Sequence, residues 1–174
     1  MTKLISSHST QVSVSREDIS AMVSVATEEE VVEKDEKKII QNILKLDEFN
    51  AHMIMTPSVV VEMAPSDMTV KELYDSELTH SRIPVYDAEN DEYVTGYVLR
   101  QEILEKMAED KFATKLDDIL RPILRFGEDV PVGDIWEALI EKKEHISVII
   151  DEYGSVRGIV TMEDVIETMI GHEI

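Results

Sequence analysis

Hydrophobic positions change their spacing along this chain. Upstream of Ile54 they recur at helical intervals; beyond it they gather into short runs separated by helical stretches. Ser15-Arg16-Glu17-Asp18 reads as an N-cap followed by acids in a first turn, and Ile19, Met22, Val23 and Ala26 continue on one helical face. A second helix is expected from about Glu33 to Asp47, where Ile39, Ile40, Ile43, Leu44 and Leu46 form the apolar side. The start, 1–14, is rich in Ser and Thr, holds no sustained period and reads as a tail.

From Ile54 the pattern is stated twice. Ile54-Met55-Thr56-Pro57 matches Ile119-Leu120-Arg121-Pro122. Each leads into a stretch expected as a strand, Val59-Val60-Val61 in one copy and Ile123-Leu124-Arg125-Phe126 in the other. Helices are expected near Val70 and Val132. A histidine then precedes a strand in each copy: His80 before Ile83-Pro84-Val85-Tyr86-Asp87, and His145 before Val148-Ile149-Ile150-Asp151. After a turn, Gly96-Tyr97-Val98 and Gly158-Ile159-Val160 open strands that end in helices. His80 and His145 are 65 residues apart, Asp87 and Asp151 64, and Gly96 and Gly158 62. The near-constant offset marks an internal repeat, and its drift falls in turns, where insertions are tolerated. The unit is strand, helix, strand, turn, strand, helix, which predicts a mixed α/β (α+β) layer. One copy is small for a core of its own. Two copies, 51–113 and 114–174, are therefore expected to pack sheet to sheet about a pseudo-two-fold axis, with a cleft between them.

Composition narrows the chemistry. The 174 residues carry 37 acidic against 17 basic side chains, a net charge of −20. Such a surface repels DNA, RNA and anionic lipid, so no nucleic-acid partner is expected. A phosphate ligand needs a local basic group or a helix N-terminus, and is expected to arrive with a cation. The 43% hydrophobic content fits a folded protein, and the absence of cysteine excludes disulfides and thiolate zinc sites. No apolar run approaches the roughly 20 residues that span a bilayer, and Met1 to Ser15 lacks a signal-peptide core, so the chain as given is expected to be soluble. There is no cysteine nucleophile, no Walker-type glycine loop and no HExxH spacing. His80 and His145 stand at equivalent repeat positions, which points to structure more than to a catalytic dyad. The chain is therefore expected to be no enzyme and to hold no metal site of its own. The runs Glu28-Glu29-Glu30 and Glu33-Lys34-Asp35-Glu36 read as solvated helix faces ahead of Mg2+ sites.

Gly158-Ile159-Val160-Thr161-Met162-Glu163-Asp164 matches the helical signature of CBS domains, glycine, two apolar residues, Ser/Thr and then Asp three positions on. The region from Ala51 to Gly171 resembles a tandem CBS pair, or Bateman module. His80-Ser81-Arg82-Ile83-Pro84-Val85-Tyr86-Asp87, Gly96 to Arg100, Arg121-Pro122, Asp151-Glu152-Tyr153-Gly154 and Gly158 to Glu167 are similar to the CorC/HlyC and CNNM magnesium and cobalt transporter family. The resemblance implies that 15–50 is an acidic helical connector. It also implies an N-terminal transmembrane domain and, in many bacterial members, a C-terminal domain outside this sequence. The module would then sit at the cytoplasmic face of the cell membrane. It further implies regulation by an adenine nucleotide, ATP or AMP, accompanied by Mg2+, and self-association into a homodimer.

The candidate ligand residues come from both copies. Asp164, just inside a helix, suits a ribose, and Thr161 suits a phosphate at the helix start. The same pair is also an ordinary N-cap with a reciprocal partner. Arg82 is the best-placed cation for a phosphate, although a surface salt bridge is its plainer fate. Ser81 adds a hydroxyl, Ile83 and Pro84 an apolar wall, His80 a further contact, and Thr56 and Val60 line the adenine end. The resemblance implies that this first-copy segment meets Thr161 and Asp164 around one ligand. Ser58 stands where the family often has arginine. In the first copy Leu99 and Glu102 replace the Thr and Asp, so one good site is expected. Two further readings compete: a ligand-free dimerisation scaffold, and an accessory module of an enzyme.

Overall fold

The computed structural model describes residues 13–77 and 79–171, so most of the expected tail lies outside the described residues. Helix α1 (Arg16–Glu28) starts at Ser15, whose hydroxyl accepts from Asp18 N–H while the Asp18 carboxylate accepts from Ser15 N–H. Helix α2 (Lys34–Leu44) folds back on α1 and ends three residues earlier than the apolar pattern suggests. Arg16 explains the stop: its guanidinium donates to the Leu44 carbonyl and to Asp47, each at 2.9 Å. A 3-10 turn, Leu46–Glu48, then sends Leu46 into the core.

The first sheet holds β2 (Ala64–Pro65), β3 (Arg82–Asp87) and β4 (Asn90–Leu99), with α4 (Val70–Asp75) and α5 (Arg100–Ala108). The second holds β5 (Leu124–Gly127), β6 (Ile146–Ile150) and β7 (Val156–Thr161), with α6 (Val132–Lys142) and α7 (Met162–Ile170). In each, the first strand runs parallel to the second and the second antiparallel to the third. The shared order is the physical counterpart of the repeated pattern. The Asp151-Glu152-Tyr153-Gly154 segment forms the β6–β7 turn. Asp151 Oδ1 accepts from the N–H groups of Tyr153 and Ser155, and Gly154 takes a φ of +83°.

Sequence repeats and spatial lobes do not coincide. Helix α3 (Ala51–Ile54) and β1 (Thr56–Pro57) precede the first repeat's own sheet but belong to the second lobe, where β1 pairs antiparallel with β7. Leu46 and Ala51 join Ile135, Leu139, Ile149 and Val160 in that lobe's core. Reciprocally, Leu116, Ile119 and Leu120 pack into the first lobe with Ile83, Val85 and Ile103, and Arg121 bridges Tyr97 on β4. Val94, Tyr97, Ile123, Ile146 and Val148 form a third cluster where the two sheets face each other. Each lobe is thus completed by a segment that leads into the other repeat.

Val59-Val60-Val61, expected as a strand, is not one. Pro57 has no N–H for a ladder, the strand ends there, and Ser58–Val60 forms a 3-10 turn with Val59 90% exposed. The strand that answers β5 is the two-residue β2, and Ala64-Pro65 carries no β-branched signal that would reveal it.

Candidate functional site

Arg82, Ser81 and His80 lead into and begin β3, and alternation along that strand decides what faces the cleft. Arg82 and Pro84 point to it, together with Ser81 and His80 ahead of the strand. Ile83 points the other way, fully buried among Val70, Leu73, Val98 and Ile103. The expectation that Ile83 forms an apolar wall is therefore corrected: the wall from this strand is Pro84 alone. Across the cleft, Thr161 caps α7. Its hydroxyl accepts from Asp164 N–H at 3.3 Å, and Asp164 Oδ2 accepts from both the Thr161 N–H and the Thr161 hydroxyl at 2.7 Å. Asp164 Oδ1 takes no hydrogen bond among the described residues.

These groups enclose a cavity of about 320 Å³. Thr56 and Val60 line it from the exchanged segment, Arg82 and Pro84 from the first lobe, and Thr161 and Asp164 from the second. Eight of the nine residues singled out in the sequence meet here, drawn from both repeats. Sequence reasoning misses Val61, Glu62, His145, Ile146, Ile159 and Glu163. His145 and Ile159 are legible in principle, since they repeat His80 and Tyr97 at the common offset.

Charge in the cavity is mixed. Glu62 Oε2 accepts from the Thr79 hydroxyl at 2.9 Å and lies 2.9 Å from His80 Nδ1. The His80 contact holds the Glu62 carboxyl below the usual carboxylate range. Asp164 moves the other way: burial raises it, against the two Thr161 hydrogen bonds. Among the described residues Arg82 makes no ion pair or side-chain hydrogen bond, unlike the surface salt bridge of its plainer reading. No group of three or more His, Asp or Glu among the described residues is arranged to hold a metal ion.

Both repeats match the model of the CBS domain, over residues 51–109 and 116–171. The chain belongs to the CBS domain family. The magnesium and cobalt efflux protein CorC of Salmonella typhimurium is 25% identical over 158 residues, which cover 90% of this chain and 54% of CorC. The CBS domain of a bacterial CNNM/CorC family Mg2+ transporter superposes with a TM-score of 0.86 at 28% identity, over 93% of this chain and 99% of that one. A structure of such a domain in complex with ATP gives a TM-score of 0.74 at 29% identity, over 79% and 99%. The chain spans about half or less of the length of the curated relatives it matches. No helix among the described residues is long and apolar enough to cross a membrane.

At the pseudo-symmetric counterpart of the cavity different side chains stand. The bridge of Arg121 to Tyr97 repeats that of Thr56 to Ile159, so Arg121 takes the place of Thr56 and Tyr97 that of Ile159. Leu99 caps α5 without a side-chain hydrogen bond. The Arg121 guanidinium reaches Glu102 at 3.5 Å, and the Tyr97 hydroxyl donates to Glu144 at 2.7 Å. Burial, followed by that hydrogen bond to Glu144, pushes Tyr97 up to about 12 from 10.0. A folded pKa above the unfolded one stabilises fully below the unfolded value and is lost as pH rises through the folded value. The CBS pair should therefore lose stability between about pH 10 and 12. Tyr97→Phe should remove that component of the alkaline loss, as read from melting temperature against pH.

Proposed function

We propose that this CBS pair is a regulatory module that binds an adenine nucleotide, ATP or AMP, in the cleft between its lobes, within a CorC/CNNM-like divalent-cation transporter. The observation that carries this reading is the convergence of Arg82 from one repeat with Thr161 and Asp164 from the other on one cavity. Asp164 Oδ1 is available for ribose hydroxyls. Thr161, the start of α7, Arg82 and Ser81 suit phosphates, since N–H groups and a guanidinium meet anions there. Pro84, Val60 and Ile159 supply apolar walls for a base, with Thr56 at their edge. Mg2+ would come with the phosphates, because Glu62, Glu163 and Asp164 oppose a free polyphosphate. The work of the module is binding and not catalysis. In the parent protein it lies on the cytoplasmic side of the membrane, with 15–50 as the connector to the membrane part.

The test is thermal unfolding with ATP plus Mg2+, and separately with AMP. A ligand at about 100 times its dissociation constant adds about 2.7 kcal/mol of stability, a shift of several degrees for a chain of this size. An unchanged melting temperature at millimolar concentrations of both would sink the reading.

Two observations favour a second reading, a ligand-free homodimer scaffold. Thr161 and Asp164 already satisfy each other as a complete capping box. The four lobe helices also leave large apolar residues exposed: Tyr74, Leu104, Ile140 and Ile166. A dimer in sedimentation with no nucleotide response would select this reading.

A further inference from the structure

We propose that nucleotide binding in this cleft is proton-linked through His80 and His145, so that affinity rises as the solution is acidified through the imidazole range. This inference rests on the nucleotide reading above and concerns the regulation of the same site.

Both histidines line the cavity, from equivalent positions ahead of β3 and β6. Imidazole is the side chain whose ordinary charge change falls between about pH 5 and 8. His80 is oriented: its Nδ1 lies 2.9 Å from Glu62 Oε2 and 2.9 Å from the Thr79 hydroxyl. In the tautomer whose Nδ1 proton is directed at the carboxylate, Nε2 is left for a ligand. Neutral, Nε2 presents a lone pair that repels a phosphate oxygen; protonated, it donates a charge-assisted hydrogen bond. His145 makes no side-chain hydrogen bond among the described residues, and its carbonyl accepts from Met162 N–H at 3.0 Å, which holds it against the start of α7.

The surrounding charges make this switch matter. Glu62 faces the cavity from the segment before β2, Arg82 from β3, and Glu163 and Asp164 from α7. Glu144, next to His145, is engaged by the Tyr97 hydroxyl, while Arg100 and Glu77 lie with Thr79 on the outer side. With neutral imidazoles the lining carries three carboxylates against one guanidinium. With both protonated the signs balance, and an anion enters a neutral cavity instead of an acidic one. Glu62 keeps its charge through this range, because the His80 contact lowers it. Asp164 moves the other way, raised by burial.

The experiment is calorimetric titration of the chain with ATP in excess Mg2+, at about pH 6 and about pH 8, in two buffers of different ionisation heat. Excess Mg2+ keeps the terminal phosphate deprotonated, so the ligand's charge is constant. The expected result is about tenfold tighter binding at the lower pH, the effect of one additional charge-assisted hydrogen bond, with net proton uptake on binding. In His80→Gln/His145→Gln the pH dependence should shrink to less than about twofold. Tight binding with equal affinity at both pH values and no proton uptake overturns the linkage and leaves the nucleotide reading standing. Dependence that survives in the double variant does the same. No binding at either pH overturns both. If the double variant fails to fold, proton uptake by the unmodified chain decides.

Discussion

Gly158→Ala is expected to destabilise the chain by about 2–3 kcal/mol, and Gly96→Ala by a similar amount, in reversible denaturant unfolding. Neither glycine sits in the left-handed region, so the constraint is space. A Cβ at Gly158 would collide with the Thr56 carbonyl oxygen and press on Met55, where β1 crosses β7. At Gly96 it would collide with the Arg121 carbonyl and with Leu120, where the second exchanged segment crosses β4. Backbone cannot yield as a side-chain tip can. The two signature glycines thus do the same job in the two lobes: they let the other repeat's leading segment lie against the sheet. Gly158→Ala carries a second consequence, since moving β1 moves Thr56 out of the cleft wall and should weaken the nucleotide response. Gly127→Ala is the control. A Cβ there meets nothing within 4 Å, and the change should stay within about 0.5 kcal/mol.

Asp164→Ala and Arg82→Ala are each expected to weaken nucleotide binding by about 1.5–3 kcal/mol, a loss of roughly tenfold to more than a hundredfold in calorimetric titration. On the proposed reading, each removes a charged hydrogen-bonding partner of the nucleotide. For Asp164 the stability effect should be much smaller than the binding effect. The substitution removes a cap, which costs about 1 kcal/mol. It also removes a carboxylate that burial holds above its ordinary pKa. A raised carboxyl contributes stability below its unfolded pKa and loses it as pH rises through the folded value, so at neutral pH the ionised group is a liability. The two terms oppose each other. Arg82 has no side-chain partner among the described residues, so Arg82→Ala should leave unfolding within about 0.5 kcal/mol of the parent. Binding losses without stability losses separate a ligand site from a scaffold.

The repeat, the mixed sheets and most of the site are legible in the sequence because each rests on a local period. Helix caps at Ser15 and Thr161 and the buried strands of the second copy carry strong signals of that kind. Ile83 is misplaced when His80-Ser81-Arg82-Ile83-Pro84 is taken as one surface, whereas strand alternation sends Ile83 to the core and Pro84 to the cleft. Val59-Val60-Val61 carries strand residues, yet Pro57 ends the ladder, Val59 turns outward, and Val60 and Val61 line the cleft. The exchange of leading segments between lobes leaves no periodic trace, since Ile54-Met55-Thr56-Pro57 reads alike whichever sheet it joins. Glu62 is invisible for a similar reason: its partners Thr79 and His80 lie 17 and 18 residues away. In the sequence, Leu99 and Glu102 alone mark the second cleft as degraded. The structure adds that Arg121 and Tyr97 stand at the counterpart positions, engaged with Glu102 and Glu144.

The proposed function depends on parts of two repeats building a single crevice for one anionic ligand. Calorimetric titration of the unmodified chain with ATP and Mg2+ measures this most directly, because it returns stoichiometry as well as affinity. The expected result is saturable binding of one nucleotide per chain. Heat that never saturates up to millimolar ligand, or two nucleotides bound per chain, would contradict it.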